Sequence, residues 1–170
     1  MNSEAQLTPD DYFAVALHSI GVTPELAKEY EGRVIEMVDR QLTLCGRNDK
    51  DLCNWEHRFA GPFYIRTVHI PQGMFLTTGR HLQWHSYYIL QGCASWYDEL
   101  KNKVMLGVAG SENGVHEHFV SITPPGTRRL IYCHTDIVWS TVHPNPWGYT
   151  TPEEMEKVLF DIPDLTKYLQ

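Results

Sequence analysis

The sequence has no apolar run approaching the 18 or so residues that a membrane span requires. It also has no low-complexity tract and no internal repeat, which excludes disordered, collagen-like and repeat architectures. The N-terminus, MNSEAQLTPDDY, has neither the basic nor the apolar region of a secretory leader, and this predicts a cytoplasmic protein. Positive charge is scarce: 14 Lys and Arg stand against 21 Asp and Glu, a net charge of −7. The basic residues are scattered, with Arg128-Arg129 the one adjacent pair, so nucleic acid is not an expected partner, and neither is a membrane. The cysteines, Cys45, Cys53, Cys93 and Cys133, form no C-x-x-C pair; they read as reduced thiols, and a cysteine-based zinc site is not expected. The nucleophile elbow, the P-loop and the H-E-x-x-H zinc motif are all missing. No carboxylate pair is placed for glycoside hydrolysis.

What remains is a chain of 170 residues, 42% hydrophobic and 12% aromatic, enough for one domain with a proper core. Thr8-Pro9-Asp10-Asp11 is a helix start with a capping threonine, a proline at the first helical position and an acidic residue three on. It predicts a helix to about Ser19, closed by Gly21. Thr23-Pro24-Glu25 starts a second. Leu26, Tyr30, Val34, Val38 and Leu42 recur every four residues and predict one helix reaching Leu44. Residues 46–62 read as a connecting loop.

From Phe63 the pattern changes to short β-branched and aromatic runs: Phe63–Ile70, Met74–Thr78, Trp84–Leu90, Cys93–Tyr97, Lys103–Val108, Phe119–Ile122, Leu130–Cys133 and Ile137–Val142. Turn signals such as Gln91-Gly92, Gly110–Gly114 and Pro124-Pro125-Gly126 separate them. This spacing predicts a mostly β fold, an antiparallel sandwich or barrel. Thr151-Pro152-Glu153-Glu154 then opens a short helix to about Phe160. The expected organisation is a helical extension and linker over 1–62, a barrel over 63–145, and a C-terminal helix and tail over 146–170. The Leu26–Leu42 stripe should pack on the outside of the barrel or on a second subunit, and uncovered strand edges also predict a homodimer.

The chemistry-bearing feature is histidine. His81 and His85 are four apart, which places both imidazoles on one face whether the segment is extended or helical. Such a pair is either the start of a metal site or two buried, hydrogen-bonded side chains. Gly73-X5-Gly79-X-His81-X3-His85-X6-Gly92 resembles the first motif of the cupin superfamily, G-X5-H-X-H-X3,4-E-X6-G, with its spacing kept. Gly79 stands at the first histidine of that motif, His81 at the second and His85 at the glutamate. Pro124-X-Gly126-X2-Arg129-X3-Cys133 resembles the second motif, P-X-G-X2-H-X3-N, with Arg129 at its histidine. The stretch from 63 to 143 is most similar to small cupin-like proteins of bacteriophages, which would place the protein in a host cytoplasm. The resemblance implies a double-stranded β-helix barrel with any site inside its mouth.

A hairpin folded about Thr135 would set Arg129 opposite Thr141, with His143 on the same face; His143 is then either a third ligand or a strand-end histidine before Pro144. Three neutral imidazoles would hold one transition-metal ion, with Fe, Zn, Ni, Cu and Mn all suited. Arg129, aimed into a barrel, would grip the carboxylate or phosphate of a small anionic substrate; Arg66 is expected to point outward. Tyr87 shares the parity of His81 and His85 and either orients substrate or fills the barrel. Trp84, Trp96 and Trp139 read as core or interface residues. His116 and His118 read as a solvated loop, and His18, His57, His69 and His134 as structural or surface residues. By analogy of fold the expected function is a metal-dependent enzyme of oxygenase or isomerase type. The alternative is a non-catalytic ligand-binding barrel or phage assembly module.

Overall fold

A computed structural model describes residues 8–30, 32–112 and 115–161. Two helices match the expectations closely. Helix α1 (Pro9–Ser19) opens on a complete capping box between Thr8 and Asp11, and α4 (Pro152–Leu159) on another between Thr151 and Glu154. The helix expected over 24–44 is two helices, α2 (Pro24–Glu29) and α3 (Val34–Leu44). Gly32, at φ +75°, breaks the run in a conformation that L side chains rarely adopt. The apolar stripe survives the break, because Tyr30, Val38 and Leu42 are all buried in one cluster with Phe13 and Ala16 of α1. Among the described residues no helix is long and apolar enough to cross a membrane.

The loop expected over 46–62 holds a 3-10 turn (Asp49–Leu52) and a strand, β1 (Asn54–Ala60), whose exposure alternates residue by residue. The remaining strands are β2 (Phe63–Ile70), β3 (Phe75–Thr77), β4 (Arg80–His81), β5 (His85–Asp98), β6 (Lys103–Glu112), β7 (Val115–Glu117), β8 (Phe119–Thr123), β9 (Arg129–Cys133), β10 (Ile137–Pro144) and β11 (Phe160–Asp161). The two strands expected on either side of Gln91-Gly92 are thus one strand. At Gly92 (φ +90°) it bends and passes from one sheet to the other. A β-carbon there would lie 2.1 Å from the carbonyl oxygen of Asp136, so both the conformation and the space demand glycine.

The pairing defines the architecture. In the first sheet the order is β1-β2-β10-β5-β8, using the first half of β5. In the second it is β3-β9-β5-β6-β7, using the second half. All these pairs are antiparallel. Leaving β1 and β7 aside, this is the strand order of a double-sheet jelly roll, the double-stranded β-helix that the resemblance implied. The hairpin expected between β9 and β10 does not exist: the turn at His134–Asp136 carries the chain between sheets, and Arg129 lies opposite Asp98, not Thr141. The cause is the shared strand β5, which takes β9 on its second half and β10 on its first.

Helices α1 and α3 cover the outer face of the second sheet, where Phe75, Tyr97 and Leu130 join their apolar cluster. Between the sheets lies the barrel core, with Trp96, Trp139, Tyr87 and Ile89. Tyr87 stacks on Trp139 at 5.0 Å and 7°, and Trp96 meets Trp139 edge-on at 5.3 Å. Such pairs add roughly 0.5–1.5 kcal/mol each beyond their burial. Helix α4 packs Met155 and Leu159 on Tyr64 at the other end of the barrel.

Candidate metal and ligand site

Because β5 doubles back at Gly92, its two ends, His85 and Asp98, meet at the same end of the barrel. His81, on β4, is held there by backbone bonds to Thr127 and Gly126 and by pairing with Phe160 of β11. His143 arrives from β10: Val142 pairs with Ser86, and the next step of that register brings His143 beside His85. The His85 ring centroid lies 4.3 Å from that of His81 and 4.4 Å from that of His143, and His81 and His143 are 6.4 Å apart. All three are buried. The histidines expected to cluster do so. His143 reaches the cluster through β5 and β10 in place of the expected hairpin.

Burial sets their charge. Desolvation is the largest cause in each case, and it pushes His81 and His143 down to about 2 and His85 to about 4. All three rings are therefore neutral at physiological pH. Two have a hydrogen bond on one ring nitrogen: His85 Nδ1 lies 3.4 Å from the Gln83 carbonyl oxygen and His143 Nε2 lies 3.0 Å from Thr141 Oγ1. Three buried ring nitrogens, His81 Nδ1, His85 Nε2 and His143 Nδ1, have no partner among the described residues. Neutral imidazoles with free nitrogens are the donor chemistry a transition metal takes. As placed, however, no three His, Cys, Asp or Glu groups among the described residues surround a point that could hold an ion.

His81 and His85 line a cavity of about 170 Å³ at this end. Apolar walls come from Val68, Leu76, Ile131 and Trp139, while Arg66, Arg128 and Arg129 bring positive charge to it. Each guanidinium has a carboxylate. Arg129, 3% exposed, lies 3.4 Å from Asp98, donates to Thr123 Oγ1 at 2.7 Å and sits 4.6 Å from the centre of the Tyr87 ring. Arg128 meets Asp39 of α3 at 3.0 Å. Arg66 meets Glu156 of α4 at 3.3 Å, with its guanidinium 4.0 Å from the Trp55 ring and 5.2 Å from the Phe160 ring. Its Nε, like that of Arg129, is buried without a hydrogen-bond partner among the described residues.

Arg66 thus corrects the expectation that it points outward. In FYIRTVHI both alternating sets contain apolar residues, so parity alone could not select the inner face. Tyr87 is buried between Trp139 and Arg129 and belongs to the core. Trp55, Asp39, Glu156 and Phe160 line the cavity and were missed. Trp55, His57 and Phe59 recur at every second position, a strand signal within a segment read as loop. His118 is exposed, as expected of a solvated position, while the His116 side chain lies outside the described residues. His134 bonds Ser95 at 2.9 Å, His69 pairs with Glu56 at 3.0 Å and His57 with Tyr64 at 2.6 Å, all in structural roles. Trp96 and Trp139 are core residues, and Trp84 is exposed.

No family model matches the sequence, and no curated protein matches it. Solved structures do resemble the fold. A cupin superfamily protein from Desulfitobacterium hafniense is 13% identical with a TM-score of 0.43, over 54% of this chain and 76% of that one. Ectoine synthase from P. lautus is 10% identical with a TM-score of 0.47, over 66% and 78%. The cupin domain of Schizosaccharomyces pombe Cnp3 is 17% identical with a TM-score of 0.42, over 72% and 81%. The barrel is of the cupin type. The order and pairing of its own strands make it so.

Proposed function

We propose that this barrel binds a small anionic molecule in the cavity beside one transition-metal ion held by His81, His85 and His143. The observation that carries the reading is the set of three buried, neutral imidazoles packed together, each with one ring nitrogen that no group among the described residues satisfies. Leaving a buried polar group unsatisfied costs about 1–3 kcal/mol, and a metal ion would remove that cost three times over. When bound, such an ion supplies Lewis acidity toward an oxygen-bearing ligand. Arg66 is the better anion anchor of the cavity arginines, since Arg129 is already committed to Asp98, Thr123 and Tyr87. The carboxylate beside Arg66 is Glu156, 37% exposed, whereas that beside Arg129 is the buried Asp98. A three-histidine centre with open positions is what an oxygenase or isomerase acting on a small acid would use.

A second reading is a non-catalytic, metal-free anion-binding barrel. It is favoured by the donor nitrogens failing to surround one point, and by the guanidiniums of Arg129 and Arg66, whose charge acts against a cation at His81. Element analysis of metal-replete protein separates the two. The first reading expects about one metal ion per chain, lost in the His81→Ala, His85→Ala double variant. Equal metal in both forms would overturn it. Thermal-shift screening with small organic acids and phosphate tests the shared part: anions should stabilise wild type and lose that effect in Arg66→Met.

A further inference from the structure

The cavity is layered by depth. Arg66 of β2 lies opposite Thr141 of β10, and two residues further in Val68 lies opposite Trp139. The second sheet repeats the pattern. Arg129 of β9 lies opposite Asp98 of β5, and two residues further in Ile131 lies between Trp96 and Leu76. Charge therefore occupies the level near the mouth, and apolar side chains occupy the next, roughly 7 Å deeper. Val68, Leu76, Ile131 and Trp139 form the cavity wall at that deeper level, and their one polar side-chain atom is the Trp139 indole nitrogen. The charged level is almost balanced. Arg66, Arg128 and Arg129 stand beside Glu156, Asp39 and Asp98 in turn. Lys50, an exposed part of the lining, pairs with no carboxylate among the described residues. With the histidines neutral, the lining and its paired carboxylates are left with one net positive charge.

We infer that the ligand is a monocarboxylate on an apolar body about the size of one six-membered ring. Its carboxylate sits level with Arg66, and its body lies against Trp139, Leu76 and Ile131. The inference rests on the anion-binding part of the reading above and narrows it to one class of acid. One net positive charge matches one ionised group. The size follows from the volume: a dry apolar cavity of about 150 Å³ takes up benzene, and this one has about 170 Å³. The apolar level selects against the other small anions. The far carboxylate of a dicarboxylate would enter a wall that offers it a single N–H. The hydroxyls of a sugar acid would be buried there without acceptors. Phosphate would meet the charged level and leave the apolar wall uncovered.

The test is isothermal titration calorimetry of metal-replete, full-length protein with benzoate, benzamide, terephthalate and inorganic phosphate. Benzoate should bind. Benzamide, which lacks the charge, should bind roughly tenfold or more weakly, and phosphate, which lacks the apolar body, likewise. Terephthalate carries its second carboxylate to the apolar level and should bind on the order of a hundredfold more weakly. Leu76→Ala deepens that level and should shift the preference from benzoate toward 4-ethylbenzoate by on the order of tenfold. Terephthalate or phosphate binding as tightly as benzoate overturns this inference and leaves the anion-binding reading standing. Benzamide binding as tightly as benzoate, or no binding of any anion, overturns both. An unchanged preference in folded Leu76→Ala overturns the placement of the body, and should that variant fail to fold, the wild-type series decides by itself.

Discussion

The two ends of the barrel interior use the same strands and the same inward-facing parity for opposite purposes. Reading inward positions from the Gly92 end toward the mouth, β10 runs Ile137, Trp139, Thr141, His143, and β2 runs Ile70, Val68, Arg66, Tyr64. The arms of β5 run Ile89, Tyr87, His85 and Ala94, Trp96, Asp98. Most of these rows turn from apolar to ionisable as they approach the mouth. The difference shows that alternation assigns a residue to the inside, while its depth along the strand decides whether it packs or binds. The apolar end has dense aromatic contacts and tolerates no change of volume. The mouth holds desolvated histidines and ion pairs whose worth depends entirely on their partners.

The largest effect is expected at the packed end. Trp96→Ala should cost about 3–5 kcal/mol in urea denaturation, since Trp96 is fully buried against Trp139, Tyr87 and Phe119. A cost below about 1 kcal/mol would mean that the two ends do not differ in packing.

At the mouth, Asp98→Ala should also destabilise strongly, by roughly 3 kcal/mol, because it leaves Arg129 charged, buried and without its carboxylate. The comparison is sharpened by the double variant Asp98→Ala, Arg129→Met, which should recover most of that loss; Trp96→Ala has no such compensating partner. If the double variant is as unstable as the single one, the pair contributes by packing and the two ends obey one rule.

The pH dependence should come chiefly from the mouth. His81, His85 and His143 have depressed pKa values in the folded chain. Below about pH 6.5 the unfolded chain therefore takes up protons that the folded chain refuses, and stability falls with falling pH, until about pH 4 for the His85 contribution and about pH 2 for those of His81 and His143. For chelator-treated protein the loss between pH 6.5 and pH 5 should be about 2 kcal/mol for each histidine that stays neutral. A flat stability profile over that window would show the histidines to be hydrated and the mouth to be an ordinary surface.

Local chemistry was fully legible. Thr8-Pro9 and Thr151-Pro152 announced α1 and α4 because a capping box needs only four consecutive residues. His81 and His85 were paired from spacing, and four residues are too few to separate them even though they lie on different strands. What depends on one backbone conformation was harder to see. Gly32 breaks a stripe whose periodicity continues across it, and Gly92 bends a strand that turn chemistry would end.

The sequence by itself determined the mostly β class, the helical caps and the histidine pair, because each is written in residues within a few positions of one another. Only the tertiary structure decided that β5 serves both sheets, that His143 completes the cluster, and that Arg66 faces the cavity under Trp55. Those depend on which strand pairs with which and in what register, and a one-residue slip reverses every inward and outward assignment along a strand. The physical cause is that strand pairing is a contest among distant segments, won here by the glycine that lets one strand belong to both sheets.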